Sequence, residues 1–382
     1  MPGANAALKI GFVLDDSLDK ADGVQQYILT LGAWLSVQGH DVHYLVGQTS
    51  RRDLASIHSL SKNLAVRFNH NRMSMPLPAS KKAIRALLDL EQFDILHVQL
   101  PYSPWLAGRI ISASGSQTAV IGTFHIVPHD FTVKAASKVL AVWTRASLQR
   151  FDEILSVSSA AQSFAKKTFK IDSQILPNVV DYQRFAKARA LEKYKGKLTI
   201  VYLGRLVPRK GCMLLLQALD QLLKQAHDLP AFRVVICSRG PLEARLKAYA
   251  SEHHLESCVE FTGFVSEKDK PRYLASADIA VFPSTGGESF GIVLIEAMAA
   301  GHAAVLGGNN VGYASVMQER QDLLFPPKNI AAFADKLSVF LRHKAQRLEA
   351  KNWGKEHAKQ FDVAVVGKKL LAVYDEALRK KQ

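Results

Sequence analysis

Short apolar runs alternate along the chain with stretches in which apolar positions recur every three or four residues. In the first half the runs are Leu8–Leu14, Val42–Val46, Leu64–Phe68, Ile95–Val98, Ala119–Phe124 and Glu153–Val157. Between them lie the amphipathic stretches Val24–Val37, Ser80–Glu91 and Val133–Arg150. The second half repeats the pattern with runs at Leu198–Leu203, Arg233–Cys237, Val259–Phe261, Ile279–Phe282 and Ala303–Leu306. There Gly211–Lys224, Pro241–Ser251, Gly291–Ala300 and Ala331–Arg342 carry the helical period. Such alternation predicts an α/β fold, with parallel sheets covered by helices on both faces. Sheets of this kind take their ligands at the carboxyl ends of the strands.

Two α/β halves meet near residues 180–197. Pro177-Asn178-Val179-Val180-Asp181 is turn chemistry, and Phe185–Lys197 is charged and lacks a strand signal. The domains therefore read as 1–182, a linker at 183–197, 198–360 and a C-terminal segment at 361–382. No internal repeat and no low-complexity segment interrupts them. Two similar domains imply a cleft between them, a common place for ligands.

The chain has 382 residues, 48% apolar and 22% charged, a globular balance that excludes disorder for most of its length. No apolar run reaches about 18 residues, so no transmembrane helix is expected. The first residues, Met1 to Leu8, show no basic region followed by an apolar stretch, so no signal peptide is expected. Cys212, Cys237 and Cys258 are scattered, without a C-x-x-C pair. They suit a reducing cytoplasm and argue against a disulfide framework or a zinc site.

Charge changes the picture more. Lys and Arg number 49 against 34 Asp and Glu, a surplus of +15 with a pI near 9.6. That favours nucleic acid, an anionic membrane or anionic substrates. Lys81, Lys82 and Arg85 open one predicted helix, with Ile84, Leu87 and Leu88 on its other face. Lys134, Lys138 and Arg145 recur at helical spacing on another, and Lys166, Lys167 and Lys170 follow. No aromatic residues interleave with them as stacking platforms, and no helix-turn-helix or zinc-finger spacing appears. A membrane surface therefore ranks above nucleic acid as the partner of Lys81, Lys82, Arg85, Lys134 and Lys138. A merely solvated basic face is the plainer alternative.

Candidate chemistry concentrates in the second half. The segment Ser284-Thr285-Gly286-Gly287-Glu288-Ser289-Phe290-Gly291 follows the strand Ile279–Phe282 and opens a helix that contains Glu296. Its glycines let the backbone approach a ligand, and a helix start offers free N–H groups to a phosphate. Glu288 and Glu296 suit the two ends of a nucleotide sugar, because carboxylates accept hydrogen bonds from vicinal hydroxyls. The plainer alternative makes Glu288 a helix-start charge and Glu296 a solvent-facing helix residue. Gly204-Arg205-Leu206-Val207-Pro208-Arg209-Lys210-Gly211 follows another strand. Arg205 and Lys210 would hold diphosphate oxygens there, with Arg209 solvated. In the first half Gly23 stands at a helix start and His125 at the end of a strand. Asp15, Asp16, Asp19 and Asp22 cluster after the first strand and read as a solvated loop. No Asp-x-Asp occurs, so an obligatory metal clamp is not predicted.

Glu288-x7-Glu296 within Gly287-Glu288-Ser289-Phe290-Gly291, preceded by Gly204-Arg205…Arg209-Lys210-Gly211, resembles the retaining family 4 glycosyltransferases of the GT-B fold. The resemblance covers nearly the whole chain. Within the family, Asp22-Gly23-Val24-Gln25 and Gly122-Thr123-Phe124-His125 are similar to the bacterial phosphatidylinositol α-mannosyltransferase subfamily. It implies two Rossmann-like domains facing a central cleft, and a C-terminal helix at Val363–Leu378 that crosses back to the first domain. Glu288 would hold donor-sugar hydroxyls, beside the Ser289, Phe290 and Gly291 backbone. Glu296 would hold the ribose, and Arg205 and Lys210 the leaving diphosphate. Gly263, Phe264 and Val265 would lie near the nucleobase, Gly23 beside the diphosphate and His125 beside the transferred sugar. Asp16 and Gln25 would meet the acceptor. Asp16 stands where the subfamily has an aromatic residue, so a lipid polyol other than inositol, or a glycolipid, stays open as acceptor.

The implied donor is GDP-mannose, with no obligatory cofactor, although Mg2+ could accompany the diphosphate. The implied setting is the cytoplasmic face of the membrane, with the protein bound peripherally. Three other readings remain: a cytosolic transferase with a soluble sugar or sugar-phosphate acceptor, a catalytically silent nucleotide-sugar binder, and a nucleic-acid-binding protein, supported only by charge.

Overall fold

A computed structural model of the chain describes residues 7–19, 22–68, 71–77, 79–126, 137, 139–226 and 228–382. Contacts divide the chain into two units, Met1–Val179 with Val363–Gln382, and Val180–Asp362.

The first unit is built on strands β1 (Lys9–Leu14), β2 (Asp41–Val46), β3 (Ile57–Ser59), β6 (Ile95–Gln99), β7 (Ala119–Phe124), β8 (Glu153–Ser156) and β9 (Gln174–Ile175). They form one parallel sheet in the order β3-β2-β1-β6-β7-β8-β9. The remaining pair, β4 (Asn63–Phe68) and β5 (Asn71–Pro76), is a separate antiparallel hairpin. The run Leu64–Phe68 is thus one arm of a hairpin and not a sheet strand. So short a connection permits only antiparallel pairing, whereas a parallel crossover needs a dozen or more residues.

The second unit carries β10 (Leu198–Leu203), β11 (Phe232–Cys237), β12 (Val259–Gly263), β13 (Ile279–Phe282), β14 (Ala304–Gly308) and β15 (Leu324–Phe325). Their order is β12-β11-β10-β13-β14-β15, again parallel throughout. Each sheet reverses its strand order once, between β1 and β6 and between β10 and β13. These are the switch points at which doubly wound sheets take ligands. Residues 183–197 belong to the second unit and hold the end of the helix Tyr182–Ala186 and the 3-10 turn Glu192–Tyr194.

Helices cover both faces of the first sheet. On one face Tyr27, Ile28, Leu31 and Leu35 of the helix Gly23–Val37 join Val366, Leu370 and Tyr374 of the helix Val363–Arg379 over Ile10, Phe12 and Leu14. Gly367 permits that crossing, because a Cβ there would collide with the Trp34 ring. On the other face Ile84, Leu106, Ile110 and Ile111 pack on Val13, Leu96 and Val98. The net charge is shared: 23 basic against 15 acidic residues in the first unit, 26 against 19 in the second. The surplus therefore does not by itself single out either unit as the partner-binding one.

Candidate active site

β10 and β13 are neighbours in the sheet, with Ile200 opposite Ile279, and each runs into a loop at its carboxyl end. The two loops are locked together. Thr285 N donates to Arg209 O at 2.8 Å, and Ser284 Oγ lies 3.2 Å from the same carbonyl oxygen. Gly211 sits at φ +73, and a Cβ on it would collide with the carbonyl oxygen of Pro283. Only glycine fits there, on both counts.

Glu288 is the hub of this loop pair. Its Oε1 lies 2.8 Å from Lys210 Nζ and 2.8 Å from Arg209 Nη1, and accepts from Ser284 Oγ at 2.7 Å. The side chains are mostly enclosed, at 11% exposure for Glu288, 19% for Lys210 and 21% for Arg209. Burial alone would raise the Glu288 pKa. The Lys210 and Arg209 charges, with hydrogen bonds from Lys210 and Ser284, outweigh it and hold the carboxyl below its usual range. Burial lowers Lys210, and repulsion from Arg209 and Arg205 adds to this against the pull of Glu288. Arg205 thereby belongs to the same cationic group. The buried Tyr202 hydroxyl supports the loop, 3.4 Å from the carbonyl oxygens of both Arg205 and Lys210 and able to donate to either one. Arg209, expected in solvent, is instead a partner of Glu288: the proline-led 3-10 turn Pro208–Lys210 turns both cations inward.

Gly291 caps the helix Ile292–Ala300 at φ +116, where a Cβ would come within 2.6 Å of the Tyr313 ring. Ser289 is half-buried. Phe290 is buried edge-on against Phe361, with ring centroids 5.5 Å apart, so only its backbone can face a ligand. The helix carries Glu296 inward, at 6% exposure, and not to the solvent. Its Oε1 lies 2.6 Å from Nζ of Lys270, which is itself 3% exposed and also pairs with Glu267 at 2.7 Å. Burial would lower the Lys270 pKa, but the Glu296 and Glu267 carboxylates outweigh it and keep the ammonium charged. Lys270 had no motif to betray it; its only signal was a lysine just before the Pro271 of a short helix. On the same side of the sheet β12 ends at Gly263, at φ +75, and Phe264 is 67% exposed, with Val265 half-buried beside it.

In the first unit the residues after β1 are less solvated than the acidic run suggested. Asp15 is buried. Its Oδ1 accepts from Ala107 N at 2.6 Å and its Oδ2 from Ser103 Oγ, capping the helix Leu106–Ala113 whose own start, Trp105, has no side-chain cap. Burial pushes the Asp15 carboxyl up to about 6 against those hydrogen bonds. Asp19 accepts from Thr49 Oγ1 at 2.6 Å. Asp16 accepts from Ser17 N at 2.7 Å, and the buried Gln25 donates to Ser17 O at 3.0 Å. Gly23 is exposed at the first turn of its helix. His125 is 5% exposed, and its Nε2 is 2.6 Å from Gln99 Oε1. The Tyr27 ring meets it edge-on at 4.9 Å, and burial pushes its imidazole down to about 3.

Lys81, Lys82 and Arg85 are exposed on the helix Lys81–Glu91. Lys134 and Lys138 lie outside the described residues. Next to them in sequence, Val139, Val142 and Trp143 are 69%, 80% and 62% exposed at helical spacing. Trp143 touches Trp105, with ring centroids 6.0 Å apart. One turn on from Trp105, Arg109 donates to Ala79 O, beside the cap of the lysine-bearing helix. Among the described residues no helix is long and apolar enough to cross a membrane. Also among them, His43, His58 and Glu91 have metal-ligand spacing, but they sit towards the amino ends of β1 and β2. The Lys9 ammonium, 3.0 Å from Glu91, already balances that carboxylate.

Comparison with known proteins places both units. Residues 21–184 match the family described as Glycosyltransferase Family 4, and residues 183–360 match Glycosyl transferases group 1. Phosphatidyl-myo-inositol mannosyltransferase of Mycobacterium tuberculosis is 29% identical over 382 residues, covering 96% of this chain and 97% of its own. Alpha-monoglucosyldiacylglycerol synthase of Streptococcus pneumoniae is 24% identical, over 79% of this chain and 71% of its own. Among solved structures, sucrose-phosphate synthase from Thermosynechococcus elongatus superposes with a TM-score of 0.77 at 18% identity, covering 98% of this chain and all of its own. Anabaena HepE in complex with UDP-glucose gives 0.71 at 15% identity, covering 96% and 99%.

Proposed function

For this chain, a member of the family 4 glycosyltransferases with the GT-B fold, we propose transfer of a hexose from a nucleotide sugar to a lipid-linked polyol or glycolipid, with retention of anomeric configuration. GDP-mannose is the donor that the full-length similarity to phosphatidyl-myo-inositol mannosyltransferases supports. The observation that carries the site is the meeting of Lys210, Arg209 and Glu288 at the switch point between β10 and β13.

The chemistry follows from the charges. As the bond from C1 to the β-phosphate oxygen breaks, negative charge grows on the diphosphate and the hexose becomes oxocarbenium-like. Arg205, Lys210 and the amide groups at the start of the Ile292–Ala300 helix meet the first change. Such preorganised charge is often the largest catalytic term. Glu288 accepts from hydroxyls of the hexose and Glu296 from the ribose, while exposed Phe264 offers a face to the base. The acceptor hydroxyl attacks C1 from the side the phosphate leaves, and its proton passes to the departing phosphate oxygen. The family resemblance would put His125 beside the transferred hexose, Gly23 beside the diphosphate, and Asp16 and Gln25 at the acceptor.

An anionic membrane surface is the setting we propose for the lipid acceptor. Exposed Lys81, Lys82 and Arg85 support it, as do Val139, Val142 and Trp143, which together make an apolar and aromatic face of the kind that lies in a bilayer interface. Lys134 and Lys138 enter by sequence alone. Thermal shift across GDP-, UDP- and ADP-linked sugars tests the donor, because a true ligand raises stability by mass action. GDP-mannose should give the largest rise; a rise with a UDP-sugar and none with GDP-mannose removes that donor.

A further inference from the structure

β6 and β7 run side by side with Gln99 opposite Thr123, so His97, Gln99, Thr123 and His125 point to one face of the sheet. Two buried imidazoles sit in this column. His97 bonds Thr123 Oγ1 through Nε2 and the Tyr374 hydroxyl through Nδ1, each at 2.7 Å. His125 bonds only one side chain of the column, Gln99.

The Gln99 amide can be oriented from its partners. Its Nε2 donates to His97 O at 3.2 Å, and a carbonyl can only accept. Its Oε1 therefore faces His125 Nε2 at 2.6 Å, and an amide oxygen can only accept as well. The proton on that bond must come from the imidazole, so His125 carries its hydrogen on Nε2. Burial keeps the ring neutral across the physiological range. Nδ1 is then a lone pair that can accept and cannot donate.

We infer that Gln99 is a positioning residue for sugar transfer: anchored by the His97 carbonyl, its amide oxygen holds His125 in the Nε2–H form, so that Nδ1 accepts from a hydroxyl of the sugar substrate. The arrangement serves the reaction in two ways. A lone pair suits a hydroxyl donor, and an uncharged ring does not repel the positive charge that develops at C1. The role of His125 beside the sugar, proposed above, is the premise.

Three variants and one spectrum test it. In the intact protein with 15N-labelled histidine, the His125 signals, assigned with His125→Gln, should show the Nε2–H form. Gln99→Met keeps the volume and removes the acceptor. It should mix the two forms and lower kcat for GDP-mannose hydrolysis by about ten-fold, the worth of one hydrogen bond, with KM little changed. Gln99→Glu keeps an acceptor but places a negative charge beside the ring and raises its pKa. Its activity should fall as pH drops through the neutral range, where the wild type is flat. An Nδ1–H form in the wild type overturns the inference. So does a Gln99→Met enzyme of wild-type kcat, or a Gln99→Glu enzyme with the wild-type pH profile. Wild-type hydrolysis by His125→Gln instead overturns the premise.

Discussion

Lys210 Nζ stands 2.8 Å from Glu288 Oε1, an oxygen that also takes hydrogen bonds from Arg209 and Ser284. One carboxylate oxygen thus balances Lys210, which the proposed mechanism turns toward a diphosphate, together with Arg209 beside it. Lys210→Ala should lower kcat by roughly 100- to 1,000-fold, the usual cost of one preorganised charge. Arg209 and Ser284 remain on Glu288, so the fold should survive, as circular dichroism would show. Retained full activity removes Lys210 from the site.

Glu288→Gln separates binding from chemistry. Removing the carboxylate's charge frees Arg209 and Lys210 to meet an anion, so GDP should bind tighter by calorimetry while transfer slows. Weaker GDP binding would mean that Glu288 organises the loop and does not compete with the phosphate.

The Lys270–Glu296 pair lies almost wholly out of water. Breaking one partner of a buried pair typically costs about 3–5 kcal/mol, because the other charge is left unpaired. Lys270→Met should lose stability on that scale in urea, and Lys270→Met with Glu296→Leu should recover most of it. Equal stability of the wild type and the single variant would contradict a charged, enclosed pair.

Asp15 predicts an unusual pH slope. Its folded pKa is about 6, above the ordinary aspartate value of 3.8, so the folded state binds more protons between those values. Stability should therefore fall as pH rises from about 4 to 6, by up to about 3 kcal/mol. Asp15→Asn keeps an acceptor for Ala107 N and should flatten that slope in urea titrations at several pH values. An unchanged slope would assign it to another group.

Vesicles of phosphatidylglycerol should bind the protein, and salt should weaken the contact by screening the lysines and Arg85. A salt-resistant remainder should persist and disappear in Trp143→Ala, whose ring would lie in the interface. Binding that ignores both salt and Trp143 contradicts this surface.

Much of this was legible because buried parallel strands leave continuous apolar runs. Ala119–Phe124, Leu198–Leu203 and Ile279–Phe282 read from sequence with the bounds the structure shows. The helix Leu106–Ala113 did not, because its cap comes from Asp15, far off in sequence. The loop glycines and the cations beside them marked one end of the second sheet. The sequence puts Arg209 in solvent and does not single out Lys270, because their burial depends on partners, Glu288 and Glu296, supplied by a distant loop and helix. Gln99 ends an apolar strand and carries no motif; only its bond to His125 sets it apart.

Calorimetric titration of GDP and UDP into the wild type and the Arg205→Ala, Lys210→Ala double variant tests the central claim most directly. The wild type should bind at least one of them. The double variant should lose roughly 100-fold or more in affinity, since two charge-assisted bonds are removed, while keeping its melting temperature within a few degrees. Equal affinity in the two proteins would contradict a diphosphate held by Arg205 and Lys210.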